Sequence, residues 1–249
     1  MTKESGTKES TNKPFVKGAL ALGAFIALGL GVMGYQLGNA AIQVKQYERS
    51  VTVKGLSERE VRSDIVLWPI QFTAAENNLE ALYNLSDSST LKIKQFLIKN
   101  GVGAEEITFS SPSITDKSAQ QWGSNDKAEF RYTAMQTVTV YSKNIEAVQQ
   151  VMSKLSELGK QGIVFVSGNY DSQTEYIYTS LNTIKPAMIE EATRQAREVA
   201  EKFAKDSASK LGKIKQASQG QFSISPRDKN NPHIKKVRVV STVEYYLSD

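Results

Sequence analysis

The chain has 249 residues, of which 40% are hydrophobic and 23% are charged, a balance typical of globular rather than disordered proteins. The absence of cysteine excludes disulfides, thiolate metal sites and thiol catalysis, and the single histidine, His233, excludes sites with two histidine ligands. The net charge of +5 is modest for this length, so we expect no nucleic-acid partner.

The first predicted element is an uncharged apolar segment, residues 18–44, which follows a lysine-containing tail, residues 1–17. About 20 helical residues span the ~30 Å hydrocarbon core of a bilayer, so this segment predicts a transmembrane anchor. Lysines before the segment predict that the tail stays in the cytoplasm while the rest of the chain lies outside. The alternative is a cleaved signal peptide with small residues near Gly38 at the processing site. The length of the apolar run favours an uncleaved anchor.

Small residues in this segment predict contacts between anchors. They recur every four positions, at Ala19, Gly23, Ala27 and Gly31. Gly34 and Gly38 also form a GxxxG pair, a pattern that lets helix backbones approach closely in lipid. Gly34 and Gly38 are therefore candidate interaction residues for self-association of the anchor. The alternative is that glycine and alanine are simply common in membrane segments.

The stretch SVTVKGLSEREVRSDIVLWPIQF, residues 50–72, predicts two strands joined as a hairpin. The charges gather where the strands are expected to join, at Glu58, Arg59, Glu60, Arg62 and Asp64. In the second strand, Pro69 lacks an amide donor and favours an edge position or a bulge.

Three amphipathic helices are predicted after this hairpin, over residues 77–99, 144–159 and 186–211. The first two begin at asparagines that can cap a helix, and the third is expected to end at Gly212. Between and after these helices, apolar and polar residues alternate as they do in strands. The last predicted strand is the KKVRVVSTVEYYL segment at the end of the chain.

The element order is therefore ββα, ββαββ, αββ, which predicts an α+β fold with antiparallel sheets and helices packed on one face. We expect two antiparallel-sheet lobes after the N-terminal transmembrane helix. Residues 47–103 and 184–249 form the first lobe, and residues 104–183 form an inserted second lobe.

No constellation in the sequence predicts catalysis. The carboxylates Glu58, Glu60 and Asp64 alternate with arginines, so mutual neutralisation on a solvated turn is favoured over acid–base work. His233 lies in a basic segment that predicts a mobile loop rather than an anion site. The chain has no glycine-rich phosphate loop, no GxSxG elbow and no metal-spaced acidic cluster. We expect no enzyme, no catalytic residues, no cofactor and no metal.

Trp122 is a candidate contact residue because it lies in the otherwise polar loop DKSAQQWGSND. The alternative is that it folds back onto its own hairpin. Tyr176, Tyr178, Tyr245 and Tyr246 lie in predicted strands, where aromatic side chains pack on their neighbours far more often than they bind ligands.

Three stretches together resemble the SIMPL-domain family, whose members include proteins described as periplasmic immunogenic or oxidative-stress-defence proteins. They are VTVKGLSEREVRSDIVLWPIQF, LNTIKPAMIEEATRQAREVAEKFAKDSASKLGKIKQASQGQFSIS and IKKVRVVSTVEYYLSD. The resemblance extends from about Tyr47 to the C-terminus. It implies a bacterial envelope location, a two-lobed α+β fold and a tendency to oligomerise, and it supplies no established catalytic residues.

Two functional hypotheses follow. The first is a non-enzymatic, single-pass protein of the bacterial inner membrane whose periplasmic part forms a homo-oligomer with a structural or stress-protective role. The role, including oxidative stress, is implied by the resemblance alone. The second is a periplasmic module that binds a small molecule or peptide in the crevice between the lobes. Both hypotheses place the membrane and further copies of the chain among its partners.

Overall fold

A computed structural model describes residues 13–47, 49–119, 129–166, 168 and 172–248. The helices are α1 (Lys13–Tyr47), α2 (Leu79–Lys99), α3 (Ile145–Ser153), α4 (Ser156–Gly159) and α5 (Leu181–Asp206). The strands are β1 (Ser50–Arg62), β2 (Ile65–Glu76), β3 (Ile107–Phe109), β4 (Ser113–Asp116), β5 (Tyr132–Ser142), β6 (Val164–Phe165), β7 (Glu175–Ile177), β8 (Lys210–Gln219), β9 (Ser223–Pro226) and β10 (Ile234–Ser248). The fold is therefore α+β with an N-terminal apolar helix, as predicted.

The strands form two sheets. One has the order β1-β10-β8, with β9 also paired to β10, and the other has the order β3-β5-β2-β6, with β4 also paired to β5 and β7 to β2. The pairs in the second sheet are antiparallel. In the first sheet, β1 and β10 run antiparallel because Leu247 N donates to Arg49 O at one end and Ser63 N donates to His233 O at the other. The prediction of antiparallel sheets is confirmed.

The predicted hairpin of the first two strands is wrong, because β1 and β2 belong to different sheets. The chain changes sheet at two consecutive residues. Ser63 N donates to His233 O next to β10, and Asp64 N donates to Ile177 O of β7. The charged residues from Glu58 to Arg62 continue β1 instead of forming a turn, with Glu58, Glu60 and Arg62 on its exposed face.

The described chain divides into two compact units, and the division passes through β1, α5, β8 and β10. The first unit comprises the described residues of 1–55, 195–218 and 242–249, and the second comprises those of 56–194 and 219–241. The lobe boundaries expected from the sequence stay a prediction.

In the first unit, the C-terminal half of α5 packs on β1 and β10. Its core contains Val53, Ala196, Ala200, Val243 and Tyr245. Alanines four residues apart on α5 have side chains of a single methyl group, so the helix backbone lies close to the strands. The buried alternation predicted for the last strand is confirmed from residue 237 to residue 245.

In the second unit, α2, α3 and α4 cover one face of the sheet built on β2 and β5. The core includes Val66, Phe72, Ile93, Leu97, Val138, Val140, Val148 and Leu158. Full burial of each such side chain contributes roughly 1.5–3 kcal/mol to folding. The cap predicted for α2 is confirmed, because Asn78 Oδ1 accepts from Ala81 N at 3.0 Å. The helix predicted for residues 144–159 is broken at Lys154 and Leu155 into α3 and α4.

Pro69 lies in a central strand, contrary to the simplest expectation for proline. Gln71 O accepts from Val166 N, so the backbone polar groups of Gln71 face β6, and those of Pro69, two residues earlier, face the same side. On that side β7 pairs with residues 65–67 and β6 with residues 72–73. Pro69 therefore lies between two short partners, where its missing donor costs no ladder hydrogen bond among the described strands.

The predicted limits of the longest helix are also corrected. The helix begins at Leu181, so Pro186 lies inside it, and it ends at Asp206 rather than at residue 211. Two hydrogen bonds end the helix, from Ala208 N to Lys205 O and from Ser209 N to Ala204 O, and Ala208 has a φ of 53°. This is a Schellman motif with alanine in the place that glycine usually occupies. Because no glycine marks this position, the sequence did not predict the helix end.

Candidate functional site

The side chains of the apolar helix α1 are exposed at every position from residue 20 to residue 45. Its segment Leu20–Lys45 is long and apolar enough to cross a membrane, and none of it is buried against the rest of the protein. Such a helix is compatible with a membrane anchor or with a signal sequence. Its apolar side chains form a surface that water solvates poorly.

The continuous helix brings the small residues of α1 to one side. With 100° per residue, Gly23, Ala27, Gly31, Gly34 and Gly38 fall within a sector about 80° wide. A Cβ atom built on any of these glycines would meet no atom within 4 Å. The candidate residues Gly34 and Gly38 thus lie on an open face, whereas the candidate Trp122 lies outside the described residues.

A polar cleft of about 460 Å³ lies in the second unit. It is formed where the end of β1, the start of α3 and the residue before β10 meet. Its lining includes Arg62, Ser63, Lys143, Asn144, Glu146 and His233. Arg62, Ser63 and His233 come from sequence regions assigned to the first predicted lobe, and the others from the inserted one.

Hydrogen bonds hold the start of α3 at this cleft. Asn144 Oδ1 accepts from Ala147 N at 3.1 Å, and Asn144 N donates to Ser142 Oγ at 3.0 Å. Ser142 Oγ in turn donates to Glu106 Oε1 at 2.7 Å. The cap uses one N–H of the first turn, so the N–H groups of Ile145 and Glu146 remain without an intrahelical acceptor.

The charged side chains of the cleft are mostly exposed. Arg62 Nη1 lies 3.1 Å from Glu146 Oε1, and the two side chains are 82% and 77% exposed.

The His233 ring meets the Tyr176 ring edge-on, with 5.9 Å between the centroids. His233 is half-buried and lies in the turn that directly precedes β10, so its place in a loop agrees with the sequence, and the mobility of that loop stays a prediction. Nearby Lys235 is buried in β10, and burial lowers its pKa despite the opposing effect of Glu175.

Ser63 is the buried polar residue of the cleft. It is only 7% exposed, and its Oγ has no hydrogen-bond partner among the described residues. Nothing in the sequence pointed to Ser63, Lys143 or Glu146, because they are far apart in the chain and form no motif. Asn144 was recognised only as a helix cap.

Two of the carboxylates considered as acid and base, Glu58 and Glu60, are paired with basic residues outside β1. Glu58 lies 3.2 Å from Lys236 Nζ and 3.1 Å from Arg238 Nε, and Glu60 lies 3.6 Å from Arg227 Nη1. Arg59 instead contacts Glu191 of α5 at 3.5 Å. The expected mutual neutralisation does not occur, because the partners of these charges lie in β10, in the segment after β9 and in α5.

Asp64 has a different environment. Its carboxylate accepts hydrogen bonds of 2.9–3.0 Å from the N–H and the hydroxyl groups of both Thr179 and Ser180. Partial burial alone would raise the pKa of Asp64, but these bonds outweigh it and the pKa lies below its usual value. A carboxylate that accepts this many hydrogen bonds stabilises the fold and is poorly suited to act as a general acid or base.

Tyr245 and Tyr178 pack on their neighbours as expected, although Tyr178 lies just after β7, whereas Tyr246 is exposed to solvent. Tyr245 is buried in the core of the first unit. Tyr246 is partly exposed, and the Lys215 ammonium lies 5.8 Å from the centroid of its ring. Tyr178 packs against the cluster formed by Met188, Ala192, Val237 and Val239.

The sequence of this chain matches a known protein family. The family model described as SIMPL, a protein of unknown function (DUF541), matches residues 51–244. No curated protein matches the chain. The match begins within β1, ends within β10 and covers well over half of the 249 residues. The chain therefore belongs to the SIMPL family.

Proposed function

We propose that this protein is a non-enzymatic, single-pass protein of the bacterial inner membrane that self-associates and has a structural or stress-protective role in the envelope. The observation that supports the proposal most strongly is α1, whose apolar span is nowhere buried against the rest of the chain. Lipid is the simplest cover for a helix of this length and composition.

Self-association is supported by the small-residue face of α1. Lipid tails are as apolar as leucine, so helices associate in membranes through close packing rather than through the hydrophobic effect. Gly34 and Gly38 lie on a face where nothing blocks another backbone. A second copy is the natural partner because every copy carries the same helix at the same depth. Trp122 stays a candidate contact residue of the exported part.

The test is the mass of the full chain in detergent, measured by size exclusion with light scattering. We expect an oligomer for the natural chain and a shift to monomer for Gly34→Leu combined with Gly38→Leu, because leucine keeps the backbones apart. Gly29→Leu is the matched control, since Gly29 lies on the opposite side of the same helix and also has open space. A natural chain that is strictly monomeric at micromolar concentration would refute self-association.

The protective role comes from the family resemblance and has its own test. We expect bacteria that lack the protein to survive peroxide less well than the parent strain, and expression of the full chain to restore survival. Expression of the Gly34→Leu, Gly38→Leu variant at the same level separates a role that needs association from one that does not. Equal survival of deletion and parent strains would refute the oxidative-stress role.

A further inference from the structure

We propose that the cleft lined by Arg62, Lys143 and His233 binds a small molecule that carries an oxyanion, such as a phosphate or carboxylate group. The site goes beyond the proposed function, since neither anchoring nor self-association requires it. Its volume of about 460 Å³ is in the range of small-molecule sites. All of its lining residues lie in the second unit, so the site is complete within one compact body.

The charges of the cleft favour an anion. Among the lining residues, the two cations Arg62 and Lys143 outnumber the single carboxylate, Glu146, and His233 adds a ring N–H donor. The ion pair between Arg62 and Glu146 is largely exposed, so it contributes little and is readily opened. A bound oxyanion can then accept two parallel hydrogen bonds from the guanidinium. Asp64, the next carboxylate along the chain, is already saturated by Thr179 and Ser180.

The start of α3 adds backbone donors to the same cleft. Asn144 and Ile145 line the cleft, and the side chain of Asn144 serves only the N–H of Ala147. The N–H groups of Ile145 and Glu146 are therefore available, and the helix dipole favours negative charge at this end. In a helix of nine residues, this arrangement suits an oxyanion held by backbone donors.

Within the described chain, Ser63 adds an unpaired hydroxyl to the wall of the cleft. Its side chain is more than nine-tenths buried in the wall of the cleft, yet its hydroxyl has no hydrogen-bond partner among the described residues. Buried hydroxyl groups normally have partners. Staggered rotamers let a serine hydroxyl turn towards a bound acceptor, so an oxyanion in the cleft would supply the missing partner.

The site should respond in opposite directions to two kinds of substitution. Arg62→Gln and Lys143→Gln remove positive charge, so we expect each to weaken anion binding by about fivefold or more. Ser63→Ala should weaken it by a smaller factor. Glu146→Gln removes the carboxylate that competes for Arg62 and should tighten binding. A general loss of fold would not produce this pattern.

The experiment is calorimetric titration of the full chain in detergent at low ionic strength with inorganic phosphate, citrate and glucose 6-phosphate, with glucose as the uncharged comparison. Lys99→Gln is the matched control, because Lys99 lies in a second polar cleft together with Lys92 and Lys154. Circular dichroism and thermal unfolding of each variant check its fold.

We expect saturable binding of at least one anion, no binding of glucose, weaker binding by Arg62→Gln and Lys143→Gln, and unchanged binding by Lys99→Gln. The proposal is overturned if none of the three anions binds. It is also overturned if Lys99→Gln weakens binding as much as Arg62→Gln, since net charge alone would then explain the effect, or if Glu146→Gln weakens binding.

Discussion

At the scale of single residues, Asp64 carries an unusual share of the hydrogen bonding. It lies between β1 and β2, where the chain passes from one sheet to the other, and its carboxylate binds the segment that leads into α5. Two of its donors are backbone N–H groups and two are hydroxyls of the same residues, Thr179 and Ser180. A charged acceptor makes stronger hydrogen bonds than a neutral one, so this one side chain joins two distant parts of the second unit.

Replacing Asp64 by asparagine should therefore destabilise the protein by about 1–3 kcal/mol at neutral pH. The folded-state pKa is depressed, so the stabilisation is fully present above the unfolded value near 3.9 and is lost as pH falls through the folded value. Urea unfolding of Asp64→Asn and the natural chain at pH 7 and near pH 2 measures this difference. It should shrink in acid, and Asp87→Asn, an exposed change on α2, should have little effect at either pH.

At the scale of elements, the junction of α5 and β8 contains an alanine in a conformation that favours glycine and a glycine in a regular strand. Ala208 adopts a positive φ where glycine is favoured, and Gly212, which resembled a helix stop, lies inside β8. A Cβ on Gly212 would lie 3.0 Å from Tyr246 O and 3.1 Å from Tyr246 Cβ. The glycine therefore permits close approach of β8 to β10, while the helix ends several residues earlier through its own hydrogen bonds.

We predict that Ala208→Gly stabilises the protein by about 1 kcal/mol, because glycine adopts the left-handed conformation without the cost that a Cβ imposes. Ala204→Gly is the control within the same helix end. Ala204 is helical and buried, so this second change should destabilise by about 1 kcal/mol or more. Thermal unfolding of both variants measures the difference, and a loss of stability in Ala208→Gly would contradict the assigned strain.

Gly220 provides a second prediction for β8 and β10. Its N–H donates to Val240 O at 2.8 Å, and a Cβ built on it would also lie 2.8 Å from that oxygen. Gly220→Ala should therefore cost about 1–3 kcal/mol, since backbone must shift to admit the methyl group. Gly159→Ala is the control, because Gly159 has open space in a helix and alanine is the better helix former. Urea unfolding that shows equal effects would rule out the close approach.

At the scale of the whole molecule, the proposed anchor would decide which compartment the two folded units occupy. The span lies near the N-terminus, and each unit has its own core of buried side chains. Lysines in the tail favour retention of the tail in the cytoplasm, so residues after the span are expected in the periplasm.

A reporter that is active only outside the cytoplasm, fused to the C-terminus, should therefore be active in this protein. Mass spectrometry of the membrane fraction should find residues 13–47 still attached, because the apolar run is longer than that of a typical signal peptide. A fusion without the first 47 residues is the control and should be inactive. A reporter active only in the cytoplasm would contradict the topology, and a mature chain that begins near residue 41 would show cleavage instead.

The sequence by itself determined the features that depend on neighbouring residues. The apolar span, the caps at Asn78 and Asn144 and the buried alternation of β10 all follow from local hydrogen bonding or from periodicity. Local rules failed at the end of α5, where alanine occupies the position usual for glycine. They also failed at the charges of β1, which resembled a turn.

Only the tertiary structure decided which distant residues meet. Separation of β1 and β2 into two sheets, the pairing of Glu58 with Lys236 and Arg238, and the assembly of Arg62, Lys143 and His233 around one cleft all join residues far apart in the chain. Such contacts depend on strand order and register, which side-chain patterns within a single segment do not encode. That is why the apolar helix and the α+β class were predictable from sequence, whereas the cleft was not.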